Sequence, residues 1–224
     1  MADRAEFMEK VRHRTRTGKY RPTHAPDVAW TREGAPPERE PIEDPPARFL
    51  EELEAVGGHG RRVRNITEAR KYVLSLARER EAKLLLRWDV EELDRMKADV
   101  PLREAGVEVA VWNDDLADPK DVAARADIGL STAAWAIAET GSLVLEGGPG
   151  RGRVVTLLPP CYVAVLYARK VLSTVPEAIG RYAEGGNVPA NVCFHTGPSR
   201  SGDIEMTLAI GVHGPGDVHV LLVG

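Results

Sequence analysis

The run Lys83-Leu-Leu-Leu-Arg-Trp88 constrains the fold more than any other feature of the sequence. It is short, apolar through its centre and bounded by charge. That pattern suits a strand covered on both faces, as in a parallel sheet clothed by helices. Val107 to Trp112 repeats it, after a helical stretch near Glu91 to Lys97. Upstream, Phe49, Leu50, Leu53 and Val56 recur at helical spacing and stop at Gly57-Gly58. After a short strand around Arg62 to Arg64, Asn65 precedes Glu68 by three residues, a capping-box-like helix start. Ala69, Tyr72, Val73 and Leu76 then share one helix face. This alternation predicts an α/β domain: a three-layer, mostly parallel sheet with helices on both faces.

The second half reads as richer in strands. Asp127 to Ser131, Tyr162 to Leu166, Asn191 to His195 and Asp217 to Val223 are each predicted as strands. Thr132 to Glu139 fits two helical turns, and Thr174 with Glu177 caps a helix running to about Ala183. Ser142 to Glu146 and Val154 to Leu158 flank the loop Gly147 to Gly152, which predicts an antiparallel hairpin with a mobile tip; the alternative, given Arg151 and Arg153, is a lid over an anion. Asp203 to Ile210 is predicted as a helix.

Before residue 47 the pattern changes. Ala2 to Arg14 fits a short helix with Phe7, Met8 and Val11 on one face. Residues 11–21 carry five cations and no acid, either a solvated helix end or a docking arm for an acidic partner. Residues 21–48 hold seven of the 16 prolines and read as an extended arm, with Tyr20 and Trp30 as its sticking points. The expected division is residues 1–46 as helix and arm, and 47–224 as the α/β domain.

Composition excludes several function classes. A formal net charge of −4 provides no global positive field for nucleic acid. Cys161 and Cys193 are the only cysteines, too few for a four-cysteine iron–sulfur or zinc site within the chain. They also form no disulfide framework, which points to a reducing cytoplasm. No charge-free stretch is longer than Val154 to Ala168, which contains Pro159 and Pro160 and falls short of the roughly 20 residues of a membrane helix. P-loop, dinucleotide and G-x-S-x-G motifs are missing. Cys193 with His195, and Asp217 with His219, each share a strand face without a third ligand at a recognised spacing, so no metal site is expected.

Glycine-punctuated loops supply the candidate site. Gly197-Pro198-Ser199-Arg200-Ser201-Gly202 follows a predicted strand and precedes a predicted helix, where ligands of open α/β sheets bind. Arg200 could clamp a carboxylate or phosphate, oriented by Asp203 and Glu205. A structural alternative pairs Arg200 with those acids and makes Ser199 or Ser201 a cap. Glu139-Thr140-Gly141 sets a carboxylate before a tight turn, as general base, nucleophile or structural acid.

Three ordered blocks resemble a known family. Ala126-Asp-Ile-Gly-Leu-Ser131 with Ala136-Ile-Ala-Glu-Thr-Gly-Ser-Leu-Val-Leu145, then Leu157-Leu-Pro-Pro160 with Val163-Ala-Val165, then Gly197 to Glu205 with Gly211-Val-His-Gly-Pro215 and His219-Val-Leu-Leu222, are similar to the lactate-utilization (LUD) domain. The N-terminal helix and proline-rich arm resemble the lactate utilization protein C family within it. Ser131 to Trp135 departs from a Gly-Ala-Asp-like stretch common before the second motif.

The resemblance implies a fold like the NagB/RpiA/CoA transferase superfamily. It implies a role in a three-protein system that oxidises L-lactate to pyruvate. Two partner proteins would carry iron–sulfur clusters, and this chain would be the cluster-free subunit with no cofactor of its own. On this reading a small anion binds where the Glu139 and Arg200 loops meet. Two rivals stand beside it: an acyl- or phosphoryl-transfer enzyme using Glu139, by analogy with the Glu-Asn-Gly segment of CoA transferases, and a non-catalytic scaffold.

Overall fold

Asp44 opens the first described helix. Its side chain accepts a hydrogen bond from the Ala47 N–H at 3.1 Å, and Pro45 occupies the first turn, where its fixed φ suits a helix. This helix, α1 (Pro45–Ala55), buries Phe49 and Leu53. It ends as the paired glycines predict: the Gly57 N–H donates to Glu54 O and the Gly58 N–H to Leu53 O, both at 2.8 Å. The computed structural model describes Glu9 and residues 41–185, 189–202, 208–211 and 213–224. The chain divides into two units, 1–40 and 41–224, and everything below concerns the second. Apart from Glu9, the expected helix over 2–14 and the arm up to residue 40 lie outside the described residues, as do Asp203 and Glu205. Pro45 and Pro46, expected in the arm, belong to α1.

The elements that follow alternate: β1 (His59–Val63), α2 (Ile66–Glu79), β2 (Leu84–Trp88), α3 (Glu91–Met96), α4 (Asp99–Glu104), β3 (Glu108–Trp112), α5 (Pro119–Arg125) and β4 (Ile128–Thr132). The cap of α2 forms as expected, the Glu68 N–H donating to the Asn65 side chain at 3.0 Å while the Glu68 carboxylate accepts from the Arg64 N–H at 2.9 Å. Then come β5 (Trp135–Ile137), β6 (Ser142–Glu146), α6 (Val154–Leu157), β7 (Cys161–Tyr167), β8 (Val171–Leu172), α7 (Val175–Gly185), β9 (Val192–Thr196), β10 (Arg200–Gly202), β11 (Leu208–Ile210) and β12 (Asp217–Val223).

Six strands form one parallel sheet in the order β1-β12-β7-β4-β2-β3. Its central strands are apolar because both faces are covered; every residue of β2 is buried. The crossovers β1→β2 and β2→β3 advance one way across the sheet, and β3→β4 returns. Right-handed connections therefore put α2, α3 and α4 on one face and α5 on the other. Helix contacts agree: α2 touches α3 and α4, while α5 touches α6. Gly129 lets α6 lie directly on β4, since a Cβ there would sit 1.9 Å from the Val155 carbonyl oxygen. The α/β architecture with helices on both faces is thus as expected.

A second, mixed sheet of four strands has the order β8-β5-β6-β9. Ala136, Leu143 and Leu145 join the main core, whereas Ile137, Val144, Leu172 and Ala178 form a smaller core, Ala178 belonging to α7. Three expectations fail here. Trp135–Ile137, within the predicted two helical turns, is a strand, because it fits between β6 and β8 and ladder bonding outweighs the helix propensity of its alanine. Val154–Leu157 is a single helical turn, so the predicted hairpin does not form; β6 pairs antiparallel with β5 and β9 instead. Leu208–Ile210, the end of the predicted 203–210 helix, is a strand pairing antiparallel with Arg200–Gly202.

Candidate ligand site

The loops selected from sequence meet at one end of the second sheet. Ser142 pairs with Thr196, which brings Thr140-Gly141 and Gly197 side by side. A run of hydroxyls links them: Thr140 Oγ1 to Ser142 Oγ and Ser142 Oγ to Thr196 Oγ1, each 2.7 Å. Both glycines press against the end of α1. A Cβ at Gly141 would lie 2.5 Å from Leu53 N, and one at Gly197 would lie 2.7 Å from Val56 Cγ2.

Arg200 is exposed and its guanidinium donates to the Val56 carbonyl. Pro198 is buried, and Ser199 is held through its backbone, its N–H donating to Pro215 O and its carbonyl accepting from the Gly211 N–H. Glu139 Oε1 accepts the Val175 N–H at 2.6 Å, at the start of α7. That contact suits a carboxylate at a helix N-terminus. Among the described residues the strand–loop–helix setting expected for Arg200 is not found, since Arg200 itself begins a strand. β9 belongs to the mixed sheet, and the loop leads into the β10–β11 hairpin.

A different place satisfies the rule for open sheets. β2 and β4 are neighbours, yet the chain leaves β2 toward β3 and leaves β4 the opposite way. The crevice beyond their carboxyl ends is the topological switch point, where such sheets bind ligands. A cavity of about 310 Å³ sits there, lined by Trp88, Thr132, Trp135, Glu146, Arg151 and Lys170, among others. The loop Gly147 to Arg153, expected as a mobile tip, forms one wall. The Asp89 N–H donates to Gly150 O and Trp88 Nε1 donates to Gly152 O, both at 2.9 Å.

The walls are braced from behind. Arg87 is buried and donates from Nε and Nη2 to Asp99, from Nη2 to Asp94 at 2.8 Å and from Nη1 to Trp88 O at 2.9 Å. Burial alone would lower its pKa, but the two carboxylates more than offset that and raise it. Glu146 accepts from the Tyr182 hydroxyl at 2.9 Å and lies 3.5 Å from Arg151. Burial, then the neighbouring carboxylate, pushes the Tyr182 hydroxyl well up. Between the two sheets, Tyr162 bonds Ser131 Oγ at 2.7 Å and meets the His195 ring edge-on at 5.1 Å. Burial lowers the His195 pKa.

Arg151 and Lys170 are thus two cations in a crevice also lined by two indoles, the Thr132 hydroxyl and the carboxylates of Glu92 and Glu146. The arrangement can hold a small carboxylate by a guanidinium fork, with Trp88 and Trp135 beside its apolar part. Sequence reasoning missed this site because the switch point depends on strand order. The signal available was a tryptophan at the end of one strand and another just past the end of a second. Arg151 lies in the loop whose sequence reads first as a mobile hairpin tip.

A six-stranded parallel sheet of this order, with a smaller mixed sheet and a crevice at the reversal, defines an α/β domain. Residues 46–223 match the LUD domain family, and the chain belongs to it. Lactate utilization protein C of Oceanobacillus iheyensis is 33% identical over 122 residues, 52% of each chain. The protein of the same name from Geobacillus sp. is 33% identical over 140 residues, 58% of each chain, and that from Halalkalibacterium halodurans 40% over 97 residues, 42% of each. The chain spans about half the length of the curated relatives it matches. The crystal structure of a DUF162 family protein from Deinococcus radiodurans superposes with a TM-score of 0.56 over 82% of this chain and 100% of that one, at 20% identity, a likeness of fold.

Proposed function

We propose that this chain is a subunit of an L-lactate utilization system and binds a small carboxylate at the β2–β4 crevice. Its partners, iron–sulfur proteins, would carry the electrons released when L-lactate becomes pyruvate; this subunit would present or retain the acid. The observation that carries the reading is the pair Arg151 and Lys170 at the strand-order reversal. The names of its relatives supply the pathway. Among the described residues no helix is long and apolar enough to cross a membrane.

A second location for the anion has its own support. The hydroxyl run Thr140–Ser142–Thr196 joins the Glu139 and Arg200 loops, and Arg200 there is exposed. Calorimetric titration of the full chain with pyruvate and L-lactate separates the two. Arg151→Ala should weaken binding about tenfold or more, the loss of one charge-assisted contact, while Arg200→Ala leaves it unchanged. The reverse result moves the anion to the loops. Absence of binding to either acid refutes the carboxylate reading. Deletion of the gene should impair growth on lactate, and co-purification from lactate-grown cells should recover cluster-bearing partners.

A further inference from the structure

At the opposite end of the parallel sheet, three strand starts converge. The register sets Asp217 of β12 beside Cys161 of β7, and His219 of β12 beside His59 of β1. Donor atoms of Cys161, Asp217 and His219 all lie within 4.8 Å of one another. His219 Nε2 is 3.1 Å from Asp217 Oδ1, and His59 Nε2 reaches the same oxygen at 3.2 Å. The two imidazoles stack with centroids 4.9 Å apart. Cys161 is wholly buried and His219 only 6% exposed, yet His219 Nε2 and Asp217 Oδ1, though 3.1 Å apart, are not aligned for a hydrogen bond with each other or with any other described group. Buried polar atoms left in that state call for an explanation, and a bound ion is one.

The geometry points to a divalent transition-metal site, suited to zinc, formed by Cys161, Asp217 and His219, with His59 as the fourth ligand. Thiolate, imidazole and carboxylate are zinc's ligand types, and bond lengths of about 2.0 to 2.3 Å place tetrahedral donors roughly 3.5 Å apart. The carboxylate and both imidazoles already approach that spacing. The surrounding contacts orient the donors inward. The Tyr72 hydroxyl bonds His219 Nδ1 at 2.8 Å, leaving Nε2 for an ion. Arg80 holds Asp217 Oδ2, leaving Oδ1. Entry is available: a groove of about 740 Å³ along α2 and β1 reaches His219, and the His59 side chain is exposed. No spacing rule finds this set, because Cys161 and Asp217 meet only through the parallel register. It stands apart from the carboxylate crevice.

The test uses the full chain stripped with a chelator and titrated with Co²⁺, then with Zn²⁺ in competition. One equivalent should bind, with tetrahedral visible absorption and a thiolate-to-cobalt charge-transfer band. Cys161→Ser should abolish that band and weaken binding at least tenfold. Tyr72→Phe, which leaves all four ligands in place, should weaken it about 10- to 100-fold. Zn²⁺ should raise the melting temperature of the unmodified chain and not that of folded Cys161→Ser. No saturable binding by the folded chain overturns the proposal. So does binding that is undiminished in Cys161→Ser and in His219→Gln, which would mark an adventitious ion only.

Discussion

Replacing Arg87 by Met tests how the crevice walls are held. The guanidinium is buried and shared between Asp99 and Asp94, with a further bond to Trp88 O. Met retains most of the volume but removes the cation, leaving Asp99, its side chain 23% exposed, without its charge partner. Removing one member of a buried pair costs about 3–5 kcal/mol, because the remaining charge is uncompensated. For a domain of this size that corresponds to a fall of roughly 6–20 °C in melting temperature.

Urea unfolding of the full chain, followed by circular dichroism, reads the loss directly. Asp94→Asn is the control: its side chain is 53% exposed, so the change should stay below about 1 kcal/mol. The double variant Arg87→Met, Asp99→Leu should recover much of the stability, since both charges then leave together. Arg87→Met costing under about 1 kcal/mol, or a double variant worse than the sum of the singles, would refute the reasoning. The same variant should loosen the proposed carboxylate binding, because Arg87 holds the carbonyl of Trp88, a residue that lines the crevice.

Two further outcomes are expected. Gly141→Ala should cost at least about 2 kcal/mol, measured by denaturant unfolding, because Gly141 has φ +62° and its added Cβ would strike the backbone of α1. His195, whose pKa is lowered by burial, should make the folded protein lose stability as pH falls below about 6.5, where the unfolded chain takes up the proton first. The slope should not exceed about 1.4 kcal/mol per pH unit, and the difference between the unmodified chain and His195→Gln should be flat above that window.

The local signals were legible wherever one short stretch decides its own conformation. Asn65 with Glu68, Thr174 with Glu177 and Gly57-Gly58 end or begin helices by bonds to neighbours a few residues away. β2 was legible because both of its faces are buried. Elements set by distant partners were not. Trp135–Ile137 is a strand only because β6 and β8 flank it, and Val154–Leu157, β-branched at its start, turns as a helix against Gly129. The rule that ligands bind beyond strand ends points from sequence to Asn191–His195, which the fold assigns to the mixed sheet. The crevice required knowing that β4 lies next to β2, and no residue states that by itself.

The position of β12 has a consequence for biogenesis. β1 sits at the sheet margin with β12 as its hydrogen-bonded neighbour, and His59 and His219 are paired across an interval of 160 residues. During synthesis β1 must wait, with its edge open, until residues 217–223 clear the ribosome and slot between it and β7. Closure over so long an interval is slow, and an unpaired edge is exposed to self-association meanwhile.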